Sequence, residues 1–114
     1  MKKFYKGDTW QITYTIYDTT GQPLDLTGWQ VRGELSNKTY NISVKLGSTG
    51  TGYSGITILE PKSAGKIKVN LTPSQTSILV PDIYDFEIEI KKGADLQHTV
   101  IREQFEVLED IIRW

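Results

Sequence analysis

The chain has 114 residues, of which 38% are hydrophobic and 24% charged, and a net charge of −1. This length predicts one domain, residues 1–114, around a single core. The near-neutral charge provides no long-range field that would attract nucleic acid or an anionic membrane, and the absence of cysteine excludes disulfides, thiolate nucleophiles and cysteine-bound zinc.

The N-terminal sequence MKKFYKGDTW has a basic start with no apolar segment behind it. No run of about 18 apolar residues follows anywhere in the chain. We therefore expect a protein that is made and kept in a cytoplasm and does not insert into a membrane.

The first clear alternation is TWQITYTIYD, residues 9–18, which places Trp10, Ile12, Tyr14 and Ile16 on one face. Period two with aromatic and β-branched residues predicts a half-buried strand. The preceding YKGDTW is interpreted as the start of this first strand rather than the rim of a binding site. Asp, Gly and Pro in DTTGQP end the strand in a turn.

Two further strands are predicted in WQVRGELS and TYNISVKL, residues 29–36 and 39–46. Trp29 begins the first of these, and its replacement by alanine is expected to cost about 3 to 5 kcal/mol if it fills a core site. Gly33 interrupts the apolar face and indicates a bulge or a close neighbouring backbone. In the second run Tyr40 shares the parity of Ile42 and Val44, so it is predicted to be buried. The following GSTGTG, residues 47–52, is predicted to be a mobile loop.

After two short strands in GITILE and GKIKVNL, the sequence contains one helical signal. Thr72 can act as the N-cap, Pro73 stands at the first helical position, and Gln75 completes a capping box. One short helical turn near residues 73–79 is predicted, ending before Pro81.

The last two runs, IYDFEIEIKK and HTVIREQFEVLED, predict a hairpin over residues 83–108. The apolar parity slips within the second run, which indicates either a bulge near Ile101 or a face that changes sheets. About seven short strands without long helices favour an all-β, immunoglobulin-like antiparallel β-sandwich. A Greek-key barrel is the alternative that periodicity does not separate from it.

We find no pattern in the sequence that indicates catalysis, a metal site or a cofactor. His98 is the single histidine and lies beside a turn, as a surface residue would. Glu87 and Glu89 share a face with Asp85, which is typical of a solvated strand face rather than a carboxylate pair for glycoside hydrolysis. No Gly-x-Ser-x-Gly motif and no phosphate-binding loop occur. We expect no enzymatic activity and no cofactor.

Large side chains that fall out of phase, in loops or at the C-terminal end of the sequence are candidates for an interface with another protein. The final EDIIRW can fold back on its own sandwich or dock on a second subunit, because an apolar end needs a surface to cover it. The candidate interface residues are Tyr5, Tyr17, Tyr53, Ile111, Ile112 and Trp114.

Three segments taken together carry a family resemblance. They are KGDTWQITYTIYDTTGQPLDLTGWQVRGEL, GKIKVNLTPSQTSIL, and IYDFEIEI followed by HTVIREQFEVLED. Their order resembles the small β-sandwich domains of tailed-phage and prophage virion proteins, particularly the N-terminal domain of baseplate upper proteins. The resemblance covers nearly the whole chain.

This resemblance implies a non-enzymatic structural component of a phage tail or baseplate, made in the bacterial host cytoplasm and located in the virion. Its partners would be other tail or baseplate proteins, with a homo-oligomer as one option. The alternative is a carbohydrate-binding or adhesin-type sandwich that uses Tyr17 and Tyr53 to stack on a glycan.

Overall fold

The fold is an all-β sandwich of two sheets, seen in a computed structural model that describes residues 1–48, 53–94, 96–109 and 111. Most of the loop predicted to be mobile lies outside these residues. The strands are β1 (Lys2–Tyr5), β2 (Trp10–Thr15), β3 (Gln30–Asn37), β4 (Ile42–Gly47), β5 (Ile56–Ile58), β6 (Lys66–Leu71), β7 (Ile83–Lys92) and β8 (Leu96–Leu108). A 3₁₀ turn, Lys62–Ala64, precedes β6, and a one-turn helix α1, Pro73–Thr76, follows it.

The strand order identifies the sandwich as immunoglobulin-like. One sheet has the order β1-β8-β7-β3-β4 and the other β2-β6-β5. In an immunoglobulin domain the corresponding sheets contain strands GFC and BED, and here β8-β7-β3 and β2-β6-β5 take those places. The predicted fold class is therefore confirmed.

The first strand departs from the predicted antiparallel arrangement. β1 ends at Tyr5, the first residue of YKGDTW, and pairs in parallel with β8, with Phe4 opposite Val107. The strand predicted after YKGDTW is confirmed as β2, but the sequence analysis missed β1, because β1 has only four residues and three of them are exposed. Such a strand shows no alternation to detect. Gly7, at φ +87°, forms the turn between β1 and β2.

The predicted hairpin over residues 83–108 is confirmed, and its parity slip is a bulge. Ile88 pairs with Ile101 while Glu89 pairs with Thr99, so Val100 is the extra residue in β8. At the bulge the adjacent residues Val100 and Ile101 both pack partly against the core, which is why the apolar parity slips there.

An aromatic cluster occupies the centre of the core. Trp10 stacks on Phe4 with ring centroids 4.3 Å apart and meets Phe105 and Phe86 edge-on at 4.5 and 6.0 Å. Phe86 stands two residues after Tyr84, the spacing at which antibody domains place a disulfide cysteine after the tyrosine of the corner motif. Aromatic packing thus fills the position that a disulfide holds in those domains.

Three local predictions can be compared with the structure. The capping box is present, since the Thr72 side chain accepts from the Gln75 backbone N–H and the Gln75 side chain accepts from that of Thr72, but the helix ends at Thr76, before residue 79. Gly33 marks a close approach rather than a bulge in β3, because a Cβ there would lie 3.4 Å from the Glu87 carbonyl oxygen. Tyr40 was wrongly predicted to be buried: it is 51% exposed in the turn before β4.

Candidate interaction surface

Large apolar side chains are exposed mainly at one end of the sandwich. This end contains the C-terminal ends of β1, β3 and β8 and the start of β7. Among the described residues, five of the eight exposed large hydrophobic side chains belong to it. We call this surface the apolar end, and its members are Tyr5, Tyr40, Ile78, Ile83 and Ile111.

Strand pairing positions Tyr5 and Ile83 on the outer face of the larger sheet. Tyr5 lies opposite Leu108, and Ile83 lies opposite Glu106 on the other side of β8. Their neighbours Phe4 and Tyr84 point into the core, so strand alternation turns Tyr5 and Ile83 outward. The Lys6 N–H donates to the Leu108 carbonyl at 2.8 Å and extends the β1–β8 pairing into this end.

Asn37 fixes the turn that carries Tyr40 against the start of β7. Its buried Nδ2 donates to Asp82 Oδ2 and to the Ile83 carbonyl, both at 3.0 Å. Its Oδ1 accepts from the Tyr40 backbone N–H at 3.0 Å. Hydrogen bonds from the Ile83 N–H and from Asn37 lower the pKa of Asp82. The carboxylate therefore stays charged at neutral pH, and the turn is held by an ionised acceptor.

The segment that carries Ile78 is tied down on both sides. Thr76 Oγ1 donates to the Asp8 carbonyl at 2.7 Å, next to the turn between β1 and β2. Tyr84 Oη donates to the Val80 carbonyl and accepts from the Val80 N–H at 2.8 and 2.9 Å. Burial raises the pKa of Tyr84, so its hydroxyl stays protonated and can serve as this donor. Ile78 projects from a braced loop and is 61% exposed.

Two of the residues predicted for an interface fall at the apolar end. Tyr5 is 49% exposed, and Ile111, three residues beyond β8, is 92% exposed and so gains little cover from the sandwich. Ile112 and Trp114 lie outside the described residues. Tyr17 is exposed at the opposite end of the sandwich, beside Pro23.

Tyr53 is half-buried rather than free in a loop. The Arg32 guanidinium carbon lies 4.9 Å from the centre of its ring. Beside it is a shallow depression of about 250 Å³ on the outer face of the larger sheet. Charged side chains of both signs line this depression, including Arg32, Glu34 and Lys45.

Sequence reasoning missed Tyr40, Ile78 and Ile83 as exposed residues. Ile83 was detectable, because in IYDFEIEI it shares the parity of Asp85, Glu87 and Glu89. Tyr40 was not detectable from parity, because Asn41 adopts φ 54° and breaks the strand pattern just after it. Ile78 was not detectable either, because it follows α1, a helix too short to show a hydrophobic period.

The remaining outer face of the larger sheet carries paired charges. Arg102 Nε lies 3.0 Å from Glu87 Oε1, and Thr99 donates to Glu89 at 3.4 Å. His98 is exposed in β8, 6.2 Å from the Trp29 ring.

Across the residues that the structure describes, no three His, Asp or Glu side chains are placed to hold a metal ion. The helices in the described part of the chain are too short to cross a membrane.

Comparison with known proteins gives a match at the level of the fold. No family model matches the chain, and no curated protein matches it significantly. Among solved structures, the chain is similar to the N-terminal domain of phage TP901-1 ORF48, with a TM-score of 0.57 and 12% sequence identity. The similarity covers 94% of this chain and 83% of the other. The chain therefore has an immunoglobulin-like fold that a phage protein domain also has.

Proposed function

We propose that this domain is a non-enzymatic structural component of a phage or prophage tail or baseplate, and that it works through protein contacts. The observation that carries the proposal is the fold similarity to a phage protein domain over 94% of the chain. The order of short motifs that resembles baseplate upper proteins supports it independently. The domain would be located in the virion.

The apolar end is the surface that we assign to assembly. Exposed tyrosine and isoleucine side chains in one place favour a protein partner, since interface cores are rich in aromatic and apolar groups and poor in charge. The Asn37 and Tyr84 hydrogen bonds hold the loops of this end in position before binding. A pre-ordered surface loses less conformational freedom when a neighbouring tail protein docks on it.

A catalytic role has less support from the geometry. The carboxylates of Glu87 and Glu89 are engaged by Arg102 and Thr99 on an open strand face. The glycan-binding alternative uses Tyr17 and Tyr53: one side of the Tyr53 ring is occupied by Arg32, and Tyr17, although 59% exposed, does not line the depression beside Tyr53. Neither a catalytic role nor glycan binding accounts for the exposed apolar side chains of the apolar end.

The proposal can be tested in phage particles from the bacterium whose genome or prophage encodes the chain. Particles are purified by density gradient and their proteins are identified by mass spectrometry. We expect the protein to co-sediment with intact particles and with isolated tails. Its presence in the soluble cell fraction together with its absence from particles would refute the virion role, and saturable binding on a glycan panel would then favour the alternative.

A further inference from the structure

We infer that the free edge of β2 pairs with β2 of a second copy of this chain, joining two three-stranded sheets into one continuous sheet. This inference goes beyond the proposed virion role and does not depend on it, because it rests on the backbone of a single strand. It identifies a second surface, the edge of the smaller sheet, which starts beside the apolar end at Trp10 and runs toward the opposite end of the sandwich.

The hydrogen bonds show which backbone groups of β2 are directed outward. The Ile16 N–H donates to the Gly65 carbonyl at 2.8 Å. That pair continues the β2–β6 register, in which Trp10 is opposite Leu71 and Tyr14 opposite Ile67. In an antiparallel pair hydrogen-bonded residues alternate, so the even-numbered residues of β2 bond to β6.

The other side of β6 gives a consistent picture. The Asn70 N–H donates to the Gly55 carbonyl at 2.7 Å, and the Leu59 N–H donates to the Lys66 carbonyl at 2.9 Å. Even-numbered residues of β6 thus bond toward β5, and its odd-numbered residues are left for β2. In β2 it follows that Gln11, Thr13 and Thr15 direct their N–H and C=O groups away from β6. No strand in the described part of the chain lies on that side.

This edge lacks the features that usually prevent edge-to-edge pairing, namely charge, proline, a bulge or very short length. β2 is WQITYT, six residues without charge, glycine or proline. The other edges are better protected. β1 carries Lys2 and Lys3, β4 carries Lys45 and is bridged near its end to Gly55, and β5 has three residues.

The sequence of β2 is complementary to itself in one register. A two-fold axis at Thr13 places this residue opposite the partner's Thr13 and places Gln11 opposite the partner's Thr15. The outward backbone groups then form about six hydrogen bonds, since each hydrogen-bonded pair exchanges two. Threonine opposite threonine is a favourable cross-strand pair. On the core side, half-exposed Ile12 comes opposite the partner's Tyr14 and gains cover.

Charge does not oppose this pairing. The neighbouring edge β1 brings lysines close to the axis, but Lys2 lies 3.2 Å from Glu103 and Lys3 lies 3.8 Å from Glu106. Tyr14 Oη also donates to Glu103 at 2.7 Å, and burial together with this carboxylate raises the pKa of Tyr14, so it stays neutral. Lys66 and Lys68 lie one strand further from the axis, opposite Thr15 and Thr13, so the two copies of Lys68 are about 14 Å apart, beyond the Debye length at physiological salt. Each copy therefore presents an uncharged strand at the axis. The occupant that fits is a second copy of the same strand.

A disulfide test is direct because the natural chain has no cysteine. In the Thr13→Cys variant, the two cysteines would face each other with Cα atoms about 5.5 Å apart, within the range that a disulfide spans. The matched control is Thr57→Cys in β5, because Thr57 is also exposed and both threonines lie opposite Lys68 in β6. We expect mild oxidation of the purified protein to cross-link Thr13→Cys into dimers and to leave Thr57→Cys monomeric.

Sedimentation velocity provides the second measurement, with circular dichroism to verify folding. We expect wild type to dimerise, Thr13→Lys to weaken the dimer at least about tenfold by placing two lysines at the axis, and Thr57→Lys to behave as wild type. A wild type that stays monomeric at all concentrations, or equal cross-linking of both cysteine variants, would overturn the inference. Because these measurements use purified protein, they can fail while the virion role stands, and the reverse is also true.

Discussion

Tyr84 connects the core to the loop that precedes its strand. Its side chain is fully buried, and its hydroxyl bonds both the N–H and the carbonyl of Val80. We expect Tyr84→Phe to lower the free energy of unfolding by about 1 to 3 kcal/mol, because both backbone groups lose their partner while the ring still fills its site. Urea denaturation measures this. Tyr17→Phe is the control, and it should leave the free energy of unfolding unchanged because Tyr17 is 59% exposed. Equal losses in the two variants would contradict the role of the Tyr84 hydroxyl.

The two tryptophans should differ in their contribution to stability. Trp10 is 9% exposed within the aromatic cluster, whereas Trp29 is half-buried, with Lys92 Nζ 5.9 Å from its ring. Trp10→Ala should cost about 3 to 5 kcal/mol and Trp29→Ala about 1 to 2, because the Trp29 side chain lies at the margin of the core and is already partly solvated. The second value is below the sequence-based expectation of 3 to 5. Denaturation of both variants under one set of conditions checks the order, and a larger loss for Trp29→Ala would reverse it.

At the residue scale, alternation predicted burial well within strands and poorly at their ends. Trp10, Tyr14 and Ile16 were expected on the buried face of one strand and are in the core. Tyr40 was assigned the same parity but precedes the left-handed Asn41, so it never enters β4. Side-chain parity predicts burial only while the chain stays extended, because a turn changes which residues face the core.

At the element scale, Gly65 closes the 3₁₀ turn against the backbone of two other segments. Its φ is +67°, and a Cβ there would lie 2.6 Å from the Ile16 carbonyl oxygen and 2.9 Å from that of Leu24. We expect Gly65→Ala to cost more than about 3 kcal/mol, because rigid backbone would have to move.

Gly21 is the matched control for this substitution. It has φ +85° but no atom within 4 Å of the Cβ position. Gly21→Ala should therefore cost only the left-handed conformation, about 1 to 2 kcal/mol. Thermal melts of the two variants compare the cost of the left-handed backbone alone, at Gly21, with the cost of that backbone plus a steric clash, at Gly65. If both lose the same stability, the close approach at Gly65 has no energetic weight.

The elements that the sequence predicted best were those with long alternation or a distinct end signal. The β7–β8 hairpin alternates over two long strands, and Thr72 with Gln75 identifies the start of α1. The parity slip near Ile101 indicated a bulge, although only the pairing of Glu89 with Thr99 distinguishes a bulge from a change of sheet. β1 was missed because its pairing with β8 is decided by residues about 100 positions away.

At the scale of the whole molecule, the sandwich was predictable and the apolar end was not. Two-sheet packing follows from many short strands without crossover helices. The apolar end combines residues from β1, the β3–β4 turn, the loop after α1 and the start of β7, and only the topology brings these together. Tyr5 and Ile111 were candidates from the sequence, yet nothing in it indicated that Tyr17 would lie at the other end.

If the apolar end mediates assembly, its loss should affect incorporation into particles more than folding. The Tyr5→Ser/Ile83→Ser double variant removes two side chains that are 49% and 45% exposed. Its melting temperature should stay near that of wild type, because exposed side chains contribute little to folding, while its amount in purified particles should fall at least about tenfold. The control is Tyr17→Ser/Leu96→Ser, which removes side chains that are 59% and 47% exposed at the opposite end. Wild-type incorporation of the first variant, or an equal loss in both, would assign assembly to another surface.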